Sequence, residues 1–187
     1  MNRSLTELEA GLEAIGASPS DDGRLELIVR RPRLETREVL QEGRIDESEG
    51  LLGDRWHAAA TADRDAQITL TNARAMAVIA GQRARWPLAG DQLYVDLDLG
   101  EANLPAGTRL HIGEAELEVT ALPHRGCGKF VRRFGADAQR FVNSEIGRAM
   151  NLRGINTRVV RGGRVRIGDA VRKAAARPAP TDTATPG

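Results

Sequence analysis

The first apolar positions of the chain recur with the spacing of an amphipathic helix. Those that share one helical face are Leu5, Leu8, Leu12 and Ile15. Ser4 and Glu7 have the spacing of a capping box, which favours a helix start at this point. Gly16 ends the pattern, and residues 17–23 are rich in turn formers. The pattern predicts an N-terminal amphipathic helix and linker over residues 1–23, with the apolar face packed on the main body or on a partner chain.

The remainder of the chain contains short segments in which apolar and polar positions alternate. Such segments, typical of β-strands, are residues 24–31, 38–40, 67–71, 93–97, 109–112, 115–122 and 155–160. Helices are predicted over residues 73–80, with Asn72 as the N-cap, and over residues 129–134 and 136–152. Many short strands with few short helices are typical of a compact β-barrel. We therefore predict a mainly β domain over residues 24–173.

Two further segments are expected to lack regular structure. Residues 43–53 are rich in glycine and acidic residues, which predicts a loop. Residues 174–187 consist mostly of Ala, Pro and Thr, a composition that cannot form a hydrophobic core. We therefore expect the chain to end in a disordered tail.

Composition and charge exclude several classes of protein. With 27 basic and 26 acidic residues the net charge is +1, and aromatic residues make up 3% of the chain, so a nucleic-acid-binding surface is not expected. No apolar run reaches the roughly 20 residues that cross a bilayer, and the N-terminus lacks a signal-peptide pattern. A single cysteine cannot form an internal disulfide, which favours a reducing compartment. We expect a cytoplasmic protein without nucleic-acid or membrane partners.

The stretch around the single cysteine is the most informative about chemistry. Cys127 is flanked by Gly126 and Gly128, which leave its sulfur unscreened, and a predicted helix begins close after it. The positively charged or ionisable side chains nearby are those of His124, Arg125 and Lys129. A positive environment and a helix N-terminus favour the thiolate, which is both the nucleophile and the metal ligand. We therefore predict that Cys127 is a catalytic or metal-binding residue, with His124 as the candidate base.

The sequence gives less support to other metal chemistry. The histidines, which are His57, His111 and His124, do not have the spacing of a zinc site. The turn before His57 contains an Asp54–Arg55 pair, which we expect to brace the barrel. A single soft thiolate instead suits molybdenum that an organic dithiolene already chelates, or a sulfur carried as a persulfide. The alternative is that Cys127 is an inert small hydrophobic residue, which is the usual role of a lone intracellular cysteine.

Several short blocks, taken in order, resemble those of the MOSC domain, a module also found at the C-terminus of molybdenum-cofactor sulfurases. The blocks are Gly50–Trp56, Gln67–Asn72, Gly90–Leu93, Asn103–Gly107 with Ile112–Gly113, Pro123–Phe130 and Arg153–Asn156. The resemblance covers residues 24–172 and places Cys127 at the position of the family's cysteine. It implies a MOSC-type β-barrel fold, in agreement with the strand pattern.

The resemblance also implies a molybdenum-cofactor function. Cys127 would carry sulfur or ligate the molybdenum of the pterin cofactor, as the cysteine of the larger amidoxime-reducing relatives does. The side chains that would neutralise the pterin phosphate are Lys129, Arg132 and Arg153, and those that would bond the pterin edges are Asn72 and Asn156. The relatives place an additional N-terminal region over the cofactor, which we do not expect here because about 23 residues precede the domain. The pyridoxal-phosphate module of the sulfurases is not expected either, so the sequence does not support that cofactor.

Three functions remain open, of which we favour the first. The first is sulfur transfer by Cys127, or molybdenum ligation by it during reduction of N-hydroxylated or N-oxide compounds, with a sulfur donor or redox protein as partner. The second is a non-catalytic β-barrel module that binds a small molecule or a partner and has a structural cysteine. The third is a thiol redox sensor, which would need an intermolecular or glutathione partner because the chain has no second cysteine.

Overall fold

The computed structural model describes residues 2–60 and 62–174 of the chain. The strands are β1 (Gly23–Arg30), β2 (Glu38–Leu40), β3 (Glu42–Asp46), β4 (Gly50–Leu51), β5 (Ile68–Asn72), β6 (Leu93–Asp96), β7 (Arg109–Ile112), β8 (Ala115–Val119), β9 (Ile155–Arg161), β10 (Gly163–Arg166) and β11 (Ala170–Lys173). The α-helices are α1 (Leu5–Glu9), α2 (Leu12–Gly16), α3 (Ala73–Ala80), α4 (Gly128–Phe134), α5 (Ala136–Asn143) and α6 (Glu145–Ala149). Arg64–Ala66 and Arg83–Ala89 form 3-10 helices. None of the described helices has the length and apolar character to cross a membrane.

Seven of the strands close into a barrel. Their order around it is β11, β7, β8, β9, β5, β6 and β1, and the pairing of β1 with β11 closes the ring. Neighbouring strands are antiparallel except β5 and β6, which are parallel. β2 pairs with the C-terminal half of β1, and a separate three-stranded sheet has the order β10, β3, β4. The prediction of a mainly β barrel with a few short helices is confirmed.

β1 separates two hydrophobic cores. Leu25 and Ile28 lie in the barrel interior, among aliphatic side chains of the other strands. Leu27 and Val29 lie in an outer core between the barrel wall and the helices. The register between β1 and β6 shifts between Leu25 and Leu27, as at a β-bulge. The outer core contains side chains of α3, α4 and α5, so it holds α4 and the loop that leads into it against the barrel.

The N-terminal helix is interrupted. Its capping box is present, because Ser4 N donates to Glu7 Oε2 at 2.8 Å and Glu7 N donates to Ser4 Oγ at 3.4 Å. The predicted helix divides into α1 and α2 near Gly11, where a Cβ would lie 2.6 Å from both Cγ atoms of Val78 on α3. Leu8 is fully buried in the outer core, so the apolar face packs on the main body of the protein.

The structure changes two predicted elements and leaves a third outside its described residues. The predicted loop over residues 43–53 contains β4 and most of β3, which pair in the second sheet. The predicted helix over residues 136–152 divides into α5 and α6 at Ser144, whose Oγ accepts from Gly147 N at 3.0 Å and caps α6. The predicted disordered tail lies outside the described residues from position 175 onward. The division of the chain into linker, barrel domain and tail stays a prediction.

Candidate functional site

Cys127 ends the loop that connects β8 to α4, and it is exposed. Of the two flanking glycines, Gly126 is required by packing, because a Cβ would lie 2.9 Å from Cγ2 of Val142. At Gly128 a Cβ would meet no described atom within 4 Å. The thiol is therefore open to solvent on the Gly128 side, while Gly126 serves the contact between the loop and α5.

The surroundings of Cys127 favour the thiolate. Partial burial raises the pKa of the thiol, but the backbone N–H groups of Phe130 and Lys129 lower it, and so does the charge of Arg153. The net effect is a lowered pKa. Because the thiolate is the form that attacks electrophiles and binds soft metals, Cys127 is placed for either chemistry.

The thiol borders a cavity of about 140 Å³ whose walls are strongly cationic. The cationic side chains that line it are those of Arg31, Arg37, Arg55, Lys129, Arg133 and Arg153. We call this space the cationic cavity. Glu35 is the one acidic side chain among the described residues that line it. The arrangement concentrates positive charge beside an ionisable sulfur.

Two buried aspartates hold two of these arginines in place. Asp54 accepts from Nε and Nη2 of Arg31, at 2.8 and 2.9 Å. The two carboxylate oxygens of Asp91 accept from Nη1 of Arg153, at 3.0 and 2.7 Å. The backbone carbonyl group of Gly90 accepts from Nη1 of Arg31 at 2.7 Å, and that of the preceding residue accepts from Nη2 of Arg153 at 3.1 Å. These contacts fix both guanidinium groups where they line the cationic cavity.

Three buried nitrogens of the cavity arginines have no hydrogen-bond partner in the part of the chain that the structure describes. They are the Nε atoms of Arg37, Arg55 and Arg153. Burial lowers the pKa of Arg37, and the charge of Arg133 lowers it further. Buried donors are normally satisfied, and neighbouring cations favour a counter-ion. The cavity is therefore suited to an anion with several acceptor oxygens, which guanidinium groups bind well.

The structure brings some of the predicted phosphate-binding residues together and separates others. Lys129 and Arg153 line the cationic cavity with Cys127. Arg132 is exposed and is not among the described residues that line this cavity. Two of the three cations predicted to bind the phosphate thus line the same cavity as the thiol.

The two predicted pterin-binding asparagines lie elsewhere. Oδ1 of Asn72 accepts from two N–H groups at the start of α3, at 2.8 and 3.0 Å, and Nδ2 donates to two further oxygens, each at 2.8 Å. Asn72 is thus a helix N-cap with a satisfied amide, and this placement does not support contact with a ligand. Asn156 donates to Leu122 O at 3.0 Å and lines a different cavity, of about 240 Å³.

His124 also lines this second cavity. Its Nδ1 is 3.6 Å from Oδ1 of Asp91 and makes no hydrogen bond within the described residues. Burial lowers the pKa of His124 to about 3, the charge of Arg153 acts in the same direction, and Asp91 opposes them. The imidazole is therefore neutral at physiological pH, and His124 is not among the described residues lining the cationic cavity. This placement does not support the predicted role of His124 as the base for Cys127.

Most of the cationic cavity is not evident from the sequence. The residues missed are Arg31, Arg37, Arg55 and Arg133. The expected pair between Asp54 and Arg55 does not form, because Asp54 binds Arg31 and leaves the Arg55 side chain to line the cavity. The signal that could have pointed to the cavity is the pair of Gly-Asp turns at residues 53–54 and 90–91, which supply both buried aspartates.

A preformed metal site is not found in the part of the chain that the structure describes. Among residues 2–60 and 62–174, no group of three or more His, Cys, Asp and Glu side chains is placed to hold a metal ion. At Cys127, the described residues therefore supply fewer than three side chains of these types to a metal.

Comparisons with known proteins give a family match and a shared fold. The model of the MOSC domain family matches residues 59–172. None of the curated proteins matches the chain. Among solved structures, the YuaD protein from Bacillus subtilis is 17% identical, with 83% of this chain and 97% of that chain covered and a TM-score of 0.58. YiiM from Escherichia coli is 20% identical (81% and 70% covered, TM-score 0.54), and YiiM from Geobacillus stearothermophilus is 13% identical (82% and 75% covered, TM-score 0.57).

Proposed function

Because this chain belongs to the MOSC domain family, we propose that it binds a molybdenum cofactor through Cys127 and the cationic cavity. The family is associated with molybdenum-cofactor-related proteins. The observation that carries the proposal is an exposed thiol of lowered pKa at the edge of a cavity lined by six cationic side chains. The thiolate suits the metal, and the cations suit the phosphate of the pterin.

Cys127 would be the protein's ligand to the metal. Since the described residues contain no cluster of metal-ligating side chains, the other ligands would be the dithiolene sulfurs of the cofactor. When bound, the cofactor would supply a redox centre for the reduction of N-hydroxylated or N-oxide compounds. Cys127 would hold that centre at the mouth of the cationic cavity, within reach of a redox partner protein that supplies electrons.

The cationic cavity would hold the phosphate of the cofactor. Arg37, Arg55 and Arg153 each present a buried Nε without a partner in the described structure, and Lys129 adds positive charge. Charge-assisted hydrogen bonds of this kind are roughly twice as strong as neutral ones. The cavity volume of about 140 Å³ is below the roughly 300–1,000 Å³ of pockets that enclose a drug-sized ligand. It would therefore take the phosphate and leave the pterin at its mouth.

The exposure of Cys127 favours a second candidate function, which is sulfur carriage. A persulfide on an exposed thiolate can be reached by a sulfur-donor protein and by an acceptor. The non-catalytic binding module with a structural cysteine has less support, because a structural cysteine is usually buried. Both functions of the thiol fit a reducing cytoplasm, in which a free cysteine persists.

Protein purified from cells that make the pterin cofactor tests the proposal by elemental analysis and ultraviolet–visible spectroscopy. Cys127→Ser removes the thiolate, and Arg37→Gln removes a cation of the cavity. Arg132→Gln is the matched control, because Arg132 lies outside the described cavity lining. We expect stoichiometric molybdenum in the wild type and the control, and little in the other two variants. Circular dichroism checks that each variant is folded.

The other outcomes separate the candidate functions. In one outcome, cyanide releases sulfur as thiocyanate from the wild type but not from Cys127→Ser, and the protein contains no molybdenum. This outcome would favour sulfur carriage. Wild-type protein with neither molybdenum nor cyanide-labile sulfur would contradict both functions of the thiol and leave the non-catalytic binding module.

A further inference from the structure

One carboxylate faces the cationic cavity from the solvent side. Both carboxylate oxygens of Glu35 accept from Nη2 of Arg133, at 2.9 and 2.7 Å. The side chain of Glu35 is 62% exposed, whereas that of Arg133 is 16% exposed. Asp54 and Asp91, by contrast, are buried and hold their arginines from within the protein. Glu35 is therefore the carboxylate of this site that already lies mostly in water and can leave its arginine without crossing the protein interior.

The backbone at Glu35 is strained. Thr36 N donates to Arg33 O at 3.2 Å, and Glu35, inside the turn that this bond closes, has a φ of 58°. Glycine and asparagine are favoured at such a position, because a positive φ brings a side chain close to its own backbone. The side chain of this strained residue is held by its ion pair with Arg133. Loss of the pair would therefore release the turn at residues 33–36.

Arg133 keeps an anchor when Glu35 leaves. Its Nη1 donates to Leu88 O at 2.9 Å, independently of the carboxylate. Ion pairs with one well-exposed partner are weak, because water and salt screen them. An anion entering the cationic cavity can therefore take the place of the Glu35 carboxylate on Nη2 at a small cost.

We propose that Glu35 competes with the ligand for Arg133, so that an anion enters the cationic cavity by displacing this carboxylate and releasing the turn at residues 33–36. Glu35 lowers the affinity for every anion by the same factor. Only an anion that reaches several cations at once, such as the dianion of a phosphate group, then binds with useful affinity. The inference rests on the proposed function, since it takes the cationic cavity as the ligand site.

Calorimetric titration of the full chain with inorganic phosphate at low salt tests this role. Glu35→Gln removes the competing charge and keeps the size of the side chain. The matched control is Glu38→Gln, because Glu38 accepts from Nε of Arg30 at 2.8 Å and is not in the described cavity lining. We expect Glu35→Gln to bind phosphate about two- to fivefold more tightly than the wild type, and Glu38→Gln to differ by less than about twofold.

Hydrogen exchange of the Thr36 amide, whose bond to Arg33 O closes the turn at residues 33–36, provides a second readout. In the wild type, added phosphate should speed exchange in this segment, because the carboxylate that holds the turn is displaced. In Glu35→Gln the exchange should be fast from the start and unchanged by phosphate. If phosphate does not change the exchange rate in the wild type, the release of the turn is wrong.

The remaining outcomes distinguish this inference from the function on which it rests. If phosphate binds the wild type and Arg37→Gln abolishes that binding, the cavity is the anion site. If Glu35→Gln then binds phosphate no more tightly than the wild type does, the competition alone is wrong. If phosphate binds neither the wild type nor Glu35→Gln, both the competition and the phosphate-binding role of the cavity are wrong.

Discussion

The largely buried imidazole of His124 makes the stability of the protein depend on pH. Its side chain is 16% exposed. Burial and the charges of Arg153 and Arg31 lower its pKa to about 3, although the charge of Asp91 opposes them. A histidine in an unfolded chain has a pKa of about 6.5. Between these values the unfolded state binds more protons, so the free energy of unfolding falls as the pH falls. At 1.36 kcal/mol per pH unit, acidification from about pH 7.5 to about pH 5 should remove about 2 kcal/mol.

Urea denaturation at these two pH values measures this loss. His124→Gln cannot take up the proton, so its free energy of unfolding should fall by about 2 kcal/mol less than that of the wild type. Each protein is compared with itself, so a change in overall stability caused by the substitution does not matter. His57→Gln, at an exposed histidine, should behave like the wild type. A loss in His124→Gln as large as that in the wild type would show that the folded state does not hold a neutral, buried imidazole.

Asp91→Asn should lower the free energy of unfolding by about 3–5 kcal/mol, because Arg153 would stay buried without its counter-charge. In the same urea denaturation assay the control Asp137→Asn, at a more exposed ion pair, should lose about 0.5 kcal/mol or less. Gly126→Ala should lower the melting temperature, because the new Cβ would lie 2.9 Å from a valine methyl group. Gly128→Ala should leave it within about 2 °C, because its Cβ would meet no described atom within 4 Å. Equal losses within either pair of variants would contradict these contacts.

Local pattern was sufficient to predict most of the barrel. In β7, for example, Leu110 and Ile112 are buried and alternate with half-buried neighbours. The sequence therefore has an apolar residue at every second position, which predicts a strand. The breaks in the helices are not visible in this way. The interruption at Gly11 depends on Val78, which is distant in sequence, and the break at Ser144 lies within a continuous helical pattern. Such boundaries are set by tertiary contacts that local periodicity does not contain.

The candidate site likewise has one part that local sequence predicts and one part that depends on tertiary contacts. Cys127 could be singled out because its flanking glycines and the helix N-terminus whose N–H groups lower its pKa are its neighbours in the chain. The cationic cavity could not, because its arginines come from separate segments and resemble the other arginines of the sequence. Asp54 shows the difficulty, since its partner is Arg31 across the fold and not the adjacent Arg55. The aspartates of the two Gly-Asp turns place Arg31 and Arg153 at the cavity through contacts that are distant in sequence.

The pH dependence of Cys127 alkylation is the decisive measurement, because the chain has one cysteine and iodoacetamide therefore reports on that thiol alone. We predict that the midpoint is lower than that of the same thiol in the urea-unfolded chain, and that it shifts upward when inorganic phosphate neutralises the cationic cavity. A midpoint equal to or above that of the unfolded chain, which phosphate does not move, would show that the fold neither favours the Cys127 thiolate nor couples it to those cations.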